Sequence, residues 1–88
     1  MKTSVSEQPD EILWKHNGIK VVEFNGNEQQ VYSPYIDRVT LDWVSAELSI
    51  THLTYEDSGE YELEITRNQR FDRIHYRLDV IGKFFFYF

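Results

Sequence analysis

The sequence contains no cysteine, which excludes a disulfide framework and any thiolate-held metal. Basic residues are scarce: nine Lys and Arg stand against fifteen Asp and Glu, a formal charge of −6 with a pI of about 4.9. That balance argues against nucleic acid or an anionic membrane surface as the main partner. No stretch approaches the roughly 18 consecutive apolar residues of a membrane helix. The opening residues MKTSVSEQPD hold no apolar run of signal-peptide length. Asn-x-Ser/Thr is also absent, since Asn17, Asn25, Asn27 and Asn68 all lack a hydroxyl residue two positions on, so no acceptor for N-glycosylation is present.

What is present is a core. Hydrophobic residues make up 41% of the 88 positions and aromatics 16%, with four glycines and two prolines. A disordered chain would be poorer in aromatic and β-branched residues. The length allows at most one small domain, and a single core of this size is marginal.

Period-two alternation dominates, and no stretch sustains a helical period. Residues 11–16 (EILWKH) read as a strand with Ile12 and Trp14 on one face and Leu13 and Lys15 on the other. Asn17-Gly18 is a hairpin signal, because both residues accept positive φ. Residues 19–24 (IKVVEF) return, Asn25-Gly26-Asn27 turns, and residues 28–33 form a weak strand ended by Pro34. Residues 38–42 and 47–53 alternate again, with Val39, Leu41, Leu48 and Ile50 inward. Residues 55–59 read as a polar turn or one helical turn. Residues 60–66 (EYELEIT) set Tyr61, Leu63 and Ile65 against Glu60, Glu62 and Glu64. After a turn at Asn68-Gln69, residues 71–81 set Ile74, Tyr76, Leu78 and Val80 against Arg73, His75, Arg77 and Asp79. Seven short strands at this spacing predict an all-β sandwich or barrel.

Four features then fall in order: Trp14 in an early strand, Arg38 opening a middle one, Leu48-x-Ile50-x-x-Leu53, and Asp57-Ser58-Gly59-Glu60-Tyr61. From residue 11 to residue 80 the chain resembles an immunoglobulin variable-type β-sandwich from strand C to strand G. The resemblance implies a tyrosine corner at Tyr61, a tight entry at Gly59, a salt bridge between Arg38 and Asp57, and Trp14 as the inter-sheet core residue. Leu63 stands where most such domains have a cysteine. That substitution, with Ile12-Leu13-Trp14-Lys15, Lys20-Val21-Val22-Glu23-Phe24 and Arg38-Val39-x-Leu41-Asp42, is similar to the disulfide-lacking N-terminal domain of lymphocyte adhesion receptors related to the signalling lymphocytic activation molecule (SLAM) group.

A full domain of that kind carries strands A and B before Trp14, roughly 20–25 residues. The expectation is therefore a partial domain. Residues 1–10 form a polar segment, with at best a strand B remnant in residues 3–6; residues 11–81 form the variable-type domain; residues 82–88 form an aromatic tail. The tail reads either as the start of a membrane anchor, as an extra edge strand, or as a truncation or gene-model artefact.

The family likeness implies that the sheet of strands G, F, C, C′ and C″ meets a related immunoglobulin-type domain, homophilically or heterophilically, with a homodimer among the options. The parent protein would then sit at a cell surface. Glu60, Glu62 and Glu64 give strand F an acidic row, Arg73, His75 and Arg77 give strand G a basic row, and Lys15 projects beside them. Such a face can pair acid to base with another copy, or the two rows can neutralise each other within one sheet. The alternative is a structural fragment without autonomous function, or one that pairs through an open strand edge. No enzyme motif is present: His16, His52 and His75 fall on three different strands, Ser58 lacks a neighbouring base, and no phosphate loop or HExxH occurs. No cofactor or small-molecule substrate is expected.

Overall fold

A computed structural model describes residues 8–81 and 84–87. Among these residues lie eight strands: β1 (Glu11–His16), β2 (Ile19–Phe24), β3 (Gln29–Val31), β4 (Val39–Leu41), β5 (Leu48–Ile50), β6 (Gly59–Arg67), β7 (Arg70–Ile81) and β8 (Phe84–Tyr87). A 3-10 turn, Tyr55–Asp57, leads into β6. The larger sheet runs β3-β2-β1-β6-β7-β8 with every neighbouring pair antiparallel, and β4-β5 form the second sheet. The fold is the all-β sandwich expected of an immunoglobulin-type domain.

Alternation sorts the larger sheet's faces. Ile12, Trp14, Val22, Phe24, Tyr61, Leu63, Ile65, Leu78 and Val80 are buried between the sheets, with Leu41 and Ala46 supplied from the β4-β5 side. The Trp14 indole Nε1 donates to the Ala46 carbonyl at 2.9 Å, a direct tie between the layers. Its ring lies 5.4 Å from that of Tyr76. Leu63, at the usual cysteine position, is packed here as an apolar residue. Trp43 reaches from the β4–β5 turn to stack on Phe24 at 4.3 Å and to donate to Gln29 Oε1 at 2.8 Å.

Two hairpin turns carry positive φ: Asn17 (50°) with Gly18 (86°), and Asn68 (48°) with Gln69 (69°). These values match the primed turn whose twist suits two-residue hairpins. Along β1–β2 the register shifts between Trp14 and Lys15: Trp14 faces Val22, whereas Lys15 faces Lys20. Val21 is therefore an extra residue in β2, a β-bulge, and both Val21 and Val22 are fully buried.

Strand β8 extends the seven strands read from the sequence. Residues 84–87 pair with β7 in the register Leu78↔Tyr87 to Ile81↔Phe84, so this part of the aromatic run is an added strand. The suggested strand B remnant in residues 3–6 lies outside the described residues. Among the described residues no helix is long and apolar enough to cross a membrane.

Candidate recognition face

The outward face of the larger sheet is built by the residues that alternate with the core. Antiparallel register places Lys15 opposite Glu62 and Leu13 opposite Glu64 on β6, and then Glu62 opposite His75, Glu64 opposite Arg73 and Glu60 opposite Arg77 on β7. All seven residues singled out in the sequence thus share one face. The shorter contacts are diagonal, with Lys15 Nζ 3.3 Å from Glu64 and Arg73 2.7 Å from Glu62, while Arg73 also lies 3.5 Å from Glu64 directly opposite. Lys15–Glu64–Arg73–Glu62 is a continuous alternating chain across three strands. Arg77 turns instead to Asp79 on its own strand, 3.4 Å away. Glu60 and His75 are exposed. Within the sheet, Glu62 and Glu64 of the acidic row are thus paired with Arg73 and Lys15, as ordinary cross-strand pairs are.

Strand β2 continues the face with Lys20 and Glu23, 3.3 Å apart, and the Tyr32 hydroxyl donates to Glu23. The Lys20 ammonium sits 5.6 Å from the centre of the Tyr32 ring. The Tyr32 hydroxyl, opposed by partial burial and aided by Lys20, holds the Glu23 carboxyl below the usual carboxylate range. Sequence reading missed this cluster. Its signal was the Val21-Val22 pair, which breaks strict alternation and brings Lys20 to the side of Glu23. Leu13, Glu11, Glu23, Glu64, Thr66 and Phe71 line a shallow depression beside it, with Phe71 exposed at its edge.

Beneath one end of this face lies a polar cluster that fixes the strands. Arg38 forks onto Asp57, with Nη1 and Nη2 each 3.0 Å from a carboxylate oxygen. The Thr54 N–H donates to the same carboxylate at 2.9 Å. Burial alone would push the Asp57 carboxyl up; the Arg38 fork, the Thr54 N–H and the Arg38 charge outweigh it and hold that carboxyl below its ordinary value. The Tyr61 hydroxyl donates to the Asp57 carbonyl at 2.6 Å, the tyrosine-corner geometry. Gly59 has a φ of 134°, and a Cβ there would come within 2.7 Å of the Asn17 side chain, so no other residue fits without a shift.

His16, read from the sequence as lying at a strand end, is buried inside this cluster. Its ring stacks on Tyr61 at 4.4 Å, with Nδ1 2.6 Å from the Tyr35 hydroxyl and Nε2 2.8 Å from the Ser58 carbonyl. A carbonyl can only accept, so Nε2 carries the proton and Nδ1 accepts from Tyr35 in the neutral ring. Nitrogen-15 NMR is expected to show the Nε2–H tautomer. Tyr35→Phe is expected to cost about 1–3 kcal/mol in chemical denaturation by leaving Nδ1 unpaired. An Nδ1–H signal would contradict this arrangement. Tyr35 and Ser58 are 19 and 42 positions away from His16, which is why spacing along the chain gave no sign of them. His52 and His75 are exposed elsewhere, and no group of metal-ligating side chains occurs among the described residues.

Two packed antiparallel sheets, a tyrosine corner, the Arg38–Asp57 bridge and a buried Trp14 across from an apolar Leu63 make an immunoglobulin-like domain that resembles the disulfide-lacking domains of lymphocyte adhesion receptors. Known relatives agree. The human lymphocyte function-associated antigen 3 is 44% identical over 54 residues, 61% of this chain and 22% of that protein. The crystal structure of the CD2-binding domain of CD58, the same antigen, superposes with a TM-score of 0.69 at 36% identity, covering 80% of this chain and 40% of that one. The first immunoglobulin-like domain of human CD48 superposes with a TM-score of 0.68 at 20% identity, covering 88% of this chain and 64% of that one, a likeness of fold. The chain spans about a fifth of the curated relative's length. No family model matches the sequence. These relatives are adhesion-receptor domains rather than enzymes.

Proposed function

We propose that this domain is a cell-surface recognition module that binds an immunoglobulin-type domain on a partner through the outward face of β3-β2-β1-β6-β7. The observation that carries the reading is the continuous charged face, Lys20–Glu23 with Lys15–Glu64–Arg73–Glu62, on a chain 36% identical to a domain described as CD2-binding. Exposed ion pairs of this kind contribute little stability. They hold a pattern of both signs in a fixed place, which sets specificity and association rate more than affinity. Binding is accordingly weak and fast.

The internal pairing favours a heterophilic partner. A second copy meeting the face acid to base would have to break the 2.7 Å Arg73–Glu62 contact to make an equivalent one. A different domain can present charges placed around the existing pairs. Surface plasmon resonance against a soluble CD2 ectodomain tests the proposal. Glu62→Arg and Arg73→Glu are each expected to slow association about tenfold at low salt, while Glu47→Arg, in the β4–β5 segment, leaves it unchanged. Binding that ignores both face reversals, or that is absent altogether, rejects this reading.

A further inference from the structure

Two asparagines of the chain are followed by glycine, in Asn17-Gly18 and Asn25-Gly26, and the fold holds their side chains differently. We propose that Asn25 is a self-modification site, at which the Gly26 nitrogen closes on the Asn25 side chain and converts it to aspartate and isoaspartate, while Asn17 is protected. In this step the Gly26 main-chain nitrogen bonds to Asn25 Cγ, the Cγ–Nδ2 bond breaks, and the nitrogen's proton leaves with the amide as ammonia. A five-membered succinimide remains. Water then opens it at Cγ to give aspartate, or at the Asn25 main-chain carbonyl to give isoaspartate. Water is the one co-reactant, and Asn25 is exposed to it.

The Asn25 amide is arranged for that attack. Its Oδ1 accepts the Asn27 N–H at 2.9 Å and the Glu28 N–H at 2.8 Å. Two main-chain donors at this range polarise a carbonyl and stabilise the oxyanion that forms on it. The hydrogen-bonded loop from Oδ1 to the Asn27 N–H also contains both reacting atoms, Cγ and the Gly26 nitrogen, and keeps them folded toward each other. Gly26 has a φ of 100°, and a Cβ there would meet the Asp10 carbonyl oxygen at 3.0 Å. The fold thus requires, at this position, the residue whose nitrogen is least shielded. Asn17 is held the opposite way. It sits in the left-handed region with a φ of 50°. Its main-chain N–H and its Oδ1 both engage Glu60 on β6, at 2.8 Å and 3.0 Å. One donor polarises its amide instead of two, and ring closure would have to break the tie to β6. Isoaspartate at position 25 would add one atom to the main chain between Phe24 and Gln29, which are register partners. The modification would therefore shift Gln29, the residue that Trp43 grips at 2.8 Å.

The experiment is peptide mapping by mass spectrometry of the 88-residue chain, kept at body temperature in mildly alkaline buffer, native and in urea. Isoaspartate is read on the same samples by enzymatic methylation. Unfolded, each asparagine has only its glycine neighbour to set the rate, and the two are expected to convert comparably. In the native chain Asn25 is expected to convert at least about tenfold faster than Asn17, a lower bound on what one added oxyanion donor supplies. Equal native conversion at the two sites, or Asn17 converting first, overturns the proposal. So does a native Asn25 that stays intact while the unfolded chain converts. A native ratio equal to the ratio in urea overturns it as well, because the dipeptide and not the fold would then set the rate. None of these outcomes depends on the recognition face, so failure here and failure of the recognition proposal are told apart.

Discussion

Arg38→Met is expected to destabilise the domain by about 3–5 kcal/mol at neutral pH, the cost of leaving a buried carboxylate without its partner. The Asp57 side chain is 5% exposed and receives both guanidinium branches. A small domain has roughly 5–15 kcal/mol in total, so the variant would be partly unfolded at body temperature. The pH dependence gives a second readout. In the parent, the Asp57 carboxyl lies below its ordinary value. Its contribution is thus present above the unfolded carboxylate pKa of about 4 and lost as pH falls through the lower folded value. Without Arg38, burial dominates and favours the protonated form, so the variant loses less on acidification than the parent does. Urea denaturation at about pH 7 and about pH 3 is expected to show the gap narrowing in acid. A gap of constant size would mean that Arg38 acts through packing and not through the Asp57 charge.

Trp14→Ala is expected to cost a further 3–5 kcal/mol, the usual range for deleting a buried indole. Trp14 touches both layers, its ring tilted against that of Tyr76 in the larger sheet and its N–H bonded to the Ala46 carbonyl of the β4–β5 turn. Trp14→Phe separates the two contributions. It keeps most of the ring and removes the N–H, leaving the Ala46 carbonyl buried and unpaired, for about 1–3 kcal/mol. Chemical denaturation of both variants checks this. A Phe variant as unstable as the Ala variant would show that the indole bond carries the tie between the layers; a neutral one would show that the ring alone does.

Much of the fold could be read directly from residue order. Strands β1 and β2 fall at the positions their alternation and the Asn17-Gly18 turn imply, because side-chain period and turn chemistry are local properties. Arg38 and Asp57 are 19 positions apart and were paired only through a resemblance, since nothing in their neighbourhoods points to each other. The diagonal pairing of Arg73 with Glu62 was invisible for a different reason. Register fixes which residues are opposite, but rotamers decide which neighbour a long guanidinium reaches. His16 shows the limit most clearly. A polar residue at a strand end reads as exposed until Tyr35, Ser58 and Tyr61 are folded around it.

The bulge in β2 works as a phase shift in the chain. In a regular strand, positions three apart point to opposite sides, and Lys20 would face the core while Glu23 faced outward. The single added residue at Val21 cancels that half-period, and so the 3.3 Å Lys20–Glu23 contact exists at all. The bulge therefore sets the polarity of everything between the Asn17-Gly18 turn and Val21: were both valines to pair as regular strand residues, Lys20 would point inward and Ile19 outward. Deleting Val21 would instead leave Lys20 two positions from Glu23 on the same side, at the cost of one fully buried valine.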